Sequence, residues 1–136
     1  MDKEKNDIES GFRIHNILLL ESNFKRVANV IFDKQDVEQK VDISSHVTIN
    51  SEKNIISVTL TLDYAQIYEE EKQVSATIKM GGAFEKVGDS ELDLEEFGEV
   101  NGSAIIYPYI REHLSNLSAK AGVGLILLPP ANFTKN

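Results

Sequence analysis

Tyr107-Pro108-Tyr109-Ile110-Arg111-Glu112-His113-Leu114, then residues 115–121, then Gly122-Val123-Gly124-Leu125-Ile126-Leu127-Leu128-Pro129-Pro130-Ala131-Asn132-Phe133 carry two patterns in succession. Ile106, Tyr109, Ile110, Leu114, Leu117 and Ala121 recur at three and four residues, the spacing of one buried helical stripe. The helix is expected to begin near Asn101-Gly102-Ser103, with a polar side chain as its cap. A kink is expected at Pro108, which has no N–H to give the carbonyl of Ala104. Gly122 is placed as a left-handed stop, and the apolar run 125–128 is too short for a helix and is held extended by Pro129-Pro130. A helix of about 20 residues is ~30 Å long and covers one face of a small sheet.

The chain upstream supplies such a sheet. From Phe12 to Phe24 both faces are apolar, with Phe12, Ile14, Leu18 and Leu20 on one side and Ile17 and Leu19 on the other. A strand of that kind needs a second layer or a partner chain to cover it. Residues 27–38 keep no single period and read as a crossing loop with Val30, Ile31 and Phe32 exposed as a lid or a contact surface. Val41, Ile43, Val47 and Ile49 then alternate with polar residues, as do Ile56, Val58, Leu60, Leu62 and Tyr64, and again Val74, Ala76, Ile78 and Met80. The turn-like Ser51-Glu52-Lys53-Asn54 and the charged Glu69-Glu70-Glu71-Lys72 separate them. Connections this short imply antiparallel neighbours, so the fold class is α+β, a four-stranded antiparallel sheet with a long C-terminal helix on one side. Gly81-Gly82 is expected to end the sheet as a bulge or a positive-φ turn. Ser90-Glu91-Leu92-Asp93 resembles a capping box opening a short helix to Phe97 that buries Leu94 and Phe97.

At 136 residues, with 41% hydrophobic and 26% charged, the chain suits one domain, here 12–136, preceded by a charged disordered arm over 1–11. That arm carries Asp2, Lys3, Glu4, Lys5, Asp7 and Glu9 and lacks a signal peptide's apolar centre. The longest apolar run falls far short of the ~20 residues that span a bilayer, so no direct membrane insertion is expected. A net charge of -8 argues against nucleic acid, which would be repelled. With no cysteine there is no disulfide and no thiolate chemistry.

No catalytic constellation emerges. His15, His46 and His113 fall on different elements without ligand spacing, so no metal site is expected. There is no nucleophile elbow, phosphate loop or dinucleotide fingerprint, and Gly81-Gly82 has neither the helix nor the lysine that phosphate binding wants. The chain is not read as an enzyme, and no cofactor is expected.

Tyr107-Pro108-Tyr109 with Arg111-Glu112, Gly122, and Leu128-Pro129-Pro130-Ala131-Asn132-Phe133 resemble the SecB family of protein-export chaperones. Upstream, residues 12–24 are similar to that family's first strand, and Met80-Gly81-Gly82-Ala83-Phe84 to its glycine pair and phenylalanine, so the resemblance covers roughly residues 12–133. It implies the same α+β fold, assembly into homodimers and homotetramers through the first strand and the long helix, and apolar grooves that hold unfolded polypeptide. Such grooves work by non-directional burial, about 25 cal/mol per Å² of apolar surface, with little sequence preference and no catalytic residue. By position the groove candidates are Ile17 and Leu19, Val30, Ile31 and Phe32, and Leu125, Leu127 and Leu128. Glu21 stands where an outer-face carboxylate would meet the SecA translocase motor, whereas Thr77 stands where another acid is expected. Three residues follow Phe133 where the resemblance implies a second helix and a motor-contacting tail, so the chain reads as C-terminally truncated.

The function implied is a cytoplasmic, ATP-independent holdase for unfolded or precursor polypeptides in protein export. Two alternatives stand beside it. One is a dedicated chaperone of a toxin-antitoxin partner; the other is an adaptor module with the same fold and no open groove.

Overall fold

Alternating apolar and polar residues build four long strands. A computed structural model describes residues 11–33, 35–87, 93–131 and 133. It contains β1 (Phe12–Arg26), β2 (Val37–Asn50), β3 (Ile55–Tyr68) and β4 (Glu71–Lys86), all paired antiparallel in the order β1-β4-β3-β2. The expected arm lies outside the described residues except for Gly11, whose carbonyl accepts from Val87 N–H at 2.9 Å. β1 and β2 follow each other in sequence but form opposite edges, so residues 27–36 must cross the sheet. A short helix α1 (Leu94–Glu96) runs through a π-helical turn (Phe97–Gly102) into α2 (Ser103–Ala121).

The helix side of the sheet is read from register, because directly paired antiparallel residues share a face. Ile56, Val58, Leu60, Leu62 and Tyr64 of β3 meet Phe84, Gly82, Met80, Ile78 and Ala76 of β4 on that side. All except Gly82 belong to the buried core, which Ile106, Tyr107, Ile110 and Leu114 of α2 close.

β1 departs from simple alternation. Its pairing with β4 slips between Ile14 and Asn16 and again between Leu19 and Glu21. Each slip adds a residue and exchanges the faces that follow. Ile17 and Leu19, paired with Gly82 and Met80, therefore share the helix side with Phe12 and Ile14, whereas Leu18, paired with Gly81, points to the outer face. The expected grouping of Phe12 and Ile14 with Leu18 is corrected by the bulge, which no periodicity announces.

Gly81 and Gly82 do not end the sheet. β4 runs through them to Lys86, and neither has a positive φ. Their reason is close approach: a Cβ at Gly81 would meet Leu20 Cδ1 at 2.8 Å, and one at Gly82 would meet Ile106 Cδ1 at 3.0 Å. The glycine pair lets α2 lie on one face and a β1 leucine on the other.

α2 starts at Ser103, as expected, but without a polar side-chain cap, because the short helix before it runs on into it through the π-helical turn. Asp93 is the cap of α1, accepting from Glu96 N–H at 2.6 Å, while Ser90 to Leu92 of the expected capping box lie outside the described residues. Gly102 is itself helical, and Ser103 Oγ donates to Gly98 O at 3.3 Å across the wide turn. Phe97 stacks on Phe12 at 3.7 Å and meets Phe84 edge-on at 5.3 Å, fixing this end of the helix over the sheet. Pro108 lies inside α2 without ending it. The buried stripe is Ile106, Tyr107, Ile110, Leu114 and Ser118, and Tyr109 is 47% exposed. Tyr107 stands three residues before Ile110 and seven before Leu114 and so shares their face, whereas Tyr109, expected in the stripe, stands about 200° of helix further on and does not. Gly122 takes the left-handed stop at φ 69°, with Gly122 N–H on Ala119 O and Val123 N–H on Ser118 O.

Candidate functional site

Because α2 packs on β1, β4 and β3, and α1 and the π-helical turn reach β2 only near Val47, the helix side of β2 from Val37 to Val41 has no helix over it. The crossing loop and the run after Gly122 border that space. Ile31 and Phe32 from the loop, residues 123–129 from the run, Val37, Gln39 and Val41 of β2, and Tyr64 and Gln66 of β3 line an open groove of about 660 Å³.

Both borders are irregular backbone held by side chains. Gln73, 5% exposed at the start of β4, places Oε1 2.9 Å from Ile31 N–H and donates Nε2 to Ile31 O at 2.8 Å. Its own carbonyl accepts from Val27 N–H at 3.0 Å. The amide thus serves Ile31 as a neighbouring strand would and leaves the Ile31 and Phe32 side chains, 38% and 60% exposed, facing outward. On the other border Ser118 Oγ accepts from Ile126 N–H at 3.0 Å, Ser115 Oγ donates to Ile126 O at 3.1 Å, and Tyr107 Oη donates to Pro129 O at 2.6 Å. Alternation does the rest: Val123, Ile126 and Leu128 turn into the core, while Leu125 and Leu127 are 61% and 71% exposed. Arg26 links the two borders by donating to Val27 O and Ala28 O at 2.9 Å and to the carbonyl of Ala121 at the end of α2.

The floor is formed by Tyr64 and Gln66, with Gln66 Nε2 donating to Tyr64 Oη at 2.9 Å. Burial pushes the Tyr64 phenol above its ordinary 10.0, against the opposing hydrogen bond from Gln66. Burial likewise raises Tyr107, and the Arg111 guanidinium, 5.9 Å over its ring, works the other way.

Of the residues singled out from sequence, Ile31, Phe32, Leu125, Leu127 and Leu128 come together in this groove, Leu128 chiefly as core. Val30 is half-buried under the loop and packs against the core. Ile17 and Leu19 are on the helix side of the far edge strand, with β4 between them and the β3 floor of the groove. Glu21 is on the outer face, paired with Lys79, its Oε1 3.9 Å from Nζ. Thr77 Oγ1 donates to Asp63 Oδ1 at 2.9 Å, so a carboxylate from β3 stands beside the position where an acid was expected in β4. Sequence reasoning missed Tyr64 and Gln66 as groove residues and Gln73 as the loop's anchor. The available signal was a glutamine at Gln66 continuing the buried alternation of β3.

Among the described residues, no group of three or more potential ligands is placed to hold a metal, and no helix is long and apolar enough to cross a membrane. The profile of a family described as preprotein translocase subunit SecB matches residues 5–135. The protein-export protein SecB of Halorhodospira halophila is 31% identical over 81 residues, 60% of this chain and 47% of that protein. The one from Aromatoleum aromaticum is 26% identical over 105 residues, 76% of this chain and 65% of that one. An uncharacterised protein of Methanocaldococcus jannaschii is 32% identical over 59 residues, 43% of this chain and 38% of its own length. The chain thus spans between about two fifths and two thirds of the curated relatives it matches. Among solved structures, the SecB-like chaperone of Mycobacterium tuberculosis in complex with a peptide from the HigA1 antitoxin superposes with a TM-score of 0.76 at 16% identity, covering 93% of this chain and 94% of that one. With a profile match over nearly its whole length and the fold to accompany it, the chain belongs to the SecB family.

Proposed function

We propose that this chain is an ATP-independent cytoplasmic chaperone that holds unfolded polypeptide extended along the groove between the crossing loop and the run after Gly122. The observation that carries the reading is the pair of apolar borders, each fixed through its backbone so that Ile31, Phe32, Leu125 and Leu127 face outward. Rigid borders spare the ordering entropy that a loose loop would lose on binding. Burial of apolar surface then supplies affinity at about 25 cal/mol per Å², independent of client sequence. The test is suppression of aggregation of a reduced, unfolded client at stoichiometric ratio; no effect at several-fold excess overturns the reading.

Export is the pathway the family name supports, with precursor polypeptides as clients and Glu21, beside Lys79 and near the Asp63–Thr77 pair, on the face open to the SecA motor. Assembly into a homodimer or homotetramer would cover Leu18, Leu19 and Leu20, which stand 47–56% exposed on an edge strand. A second reading, a dedicated chaperone of a toxin-antitoxin partner, is favoured by the antitoxin peptide in the Mycobacterium tuberculosis complex. Affinity across a panel of unrelated unfolded proteins separates the two: comparable values support the general role, and a single strongly preferred antitoxin segment supports the dedicated one.

A further inference from the structure

The groove is apolar at its borders and polar at its floor. Tyr64 and Gln66 stand two apart on β3 and so leave the sheet on the same side. They are 3% and 8% exposed, yet both line the groove. Their mutual bond uses one amide hydrogen of Gln66 and one lone pair of Tyr64. Among the described residues neither side chain makes another hydrogen bond. No fully sealed side-chain polar atom is left without a partner, so the Gln66 carbonyl oxygen keeps an opening, and the groove is what it opens to. The phenol proton of Tyr64 is uncommitted as well.

A buried acceptor and a buried donor side by side are costly in an empty, purely apolar binding site, because a bound hydrocarbon side chain would seal them off unpaired. They match a group that itself carries one donor and one acceptor. Resting on the reading of the groove as a polypeptide site, we propose that Tyr64 and Gln66 form a polar subsite for one backbone peptide group of the bound chain, Gln66 Oε1 accepting its N–H and Tyr64 Oη donating to its C=O. Every unfolded polypeptide brings such groups whatever its side chains, so the subsite fixes depth and register without reading sequence. A phenol is a protonated donor at neutral pH, and burial moves Tyr64 further from ionisation.

The test uses the full chain and a short fluorescently labelled peptide of serine with one central Leu-Ser-Leu segment, which sets a single register on the apolar borders, with variants each N-methylated at one backbone nitrogen. N-methylation at one position is expected to weaken binding to the native protein by about tenfold, the worth of one buried hydrogen bond. With Gln66→Met, which keeps the length and removes the acceptor, the penalty at that position should shrink to within about twofold. Tyr64→Phe, which keeps the ring, should weaken the unmethylated peptide severalfold and serves if Gln66→Met does not fold. The inference is overturned if no position is sensitive, or if the penalty is the same in Gln66→Met as in the native protein. Failure of the native protein to bind any peptide overturns the groove reading as well, which distinguishes the two failures.

Discussion

Tyr64 and Tyr107 are buried phenols, 3% and 4% exposed, and burial raises both above 10.0 in the folded chain. Below pH 10 both folded and unfolded chains keep the protons, so the contribution of these residues to stability is fully present. As pH rises past 10 the unfolded chain releases protons first, and stability falls until the folded phenols ionise too. Urea midpoints measured from pH 8.5 to 11 should decline, and the Tyr64→Phe, Tyr107→Phe double variant should show a shallower decline; equal slopes would refute the assignment. Gly98 makes a different point about single residues. A Cβ there would collide with Ile56 Cδ1 and meet Val47 Cγ1 at 3.0 Å, and Ile56 is itself 0% exposed. Gly98→Ala should therefore destabilise by about 1–3 kcal/mol through overpacking, measured by equilibrium denaturation.

On the proposed reading, the elements that border the groove are the two without regular structure. Ile31 in the crossing loop and Ile126 and Pro129 in the run after Gly122 are held by side chains borrowed from β4 and α2, namely Gln73, Ser115, Ser118 and Tyr107. Gln73→Met keeps the bulk and removes both bonds to Ile31, each worth about 1 kcal/mol net. Amide exchange at Ile31 should accelerate while the amides of β3 stay protected, and client affinity should fall through a faster off-rate. Unchanged exchange at Ile31 would show that the loop is held by something else. The β3–β4 turn is also worth noting, since Glu69 and Glu70 both have positive φ (50° and 68°), as a two-residue turn of that hand requires.

For the whole molecule, the placement of β1 and β2 at opposite edges sets two apolar surfaces far apart. Phe32→Ser with Leu127→Ser should abolish most aggregation suppression yet shift stability within about 0.5 kcal/mol, because both side chains are largely exposed. Leu18→Asn with Leu20→Asn should instead lower the oligomer mass in sedimentation. Separate phenotypes would mean separate surfaces; a joint loss would mean that the groove needs the assembly. The sequence by itself determined the four strands, the long helix, its stop at Gly122 and the extended run behind it, since period-two and period-3.6 patterns and glycine and proline chemistry act locally. It also singled out Ile31 and Phe32, because apolar residues in a segment without a period stand out, whereas Leu125 and Leu127 are marked by their positions in the family resemblance. Only the tertiary structure decided which of them meet. The bulges that turn Ile17 and Leu19 to the helix side, the close approach that requires Gly81 and Gly82, and the meeting of Gln73 with Ile31 and of Gln66 with the groove all join residues distant in sequence or depend on strand register, and no local pattern encodes them.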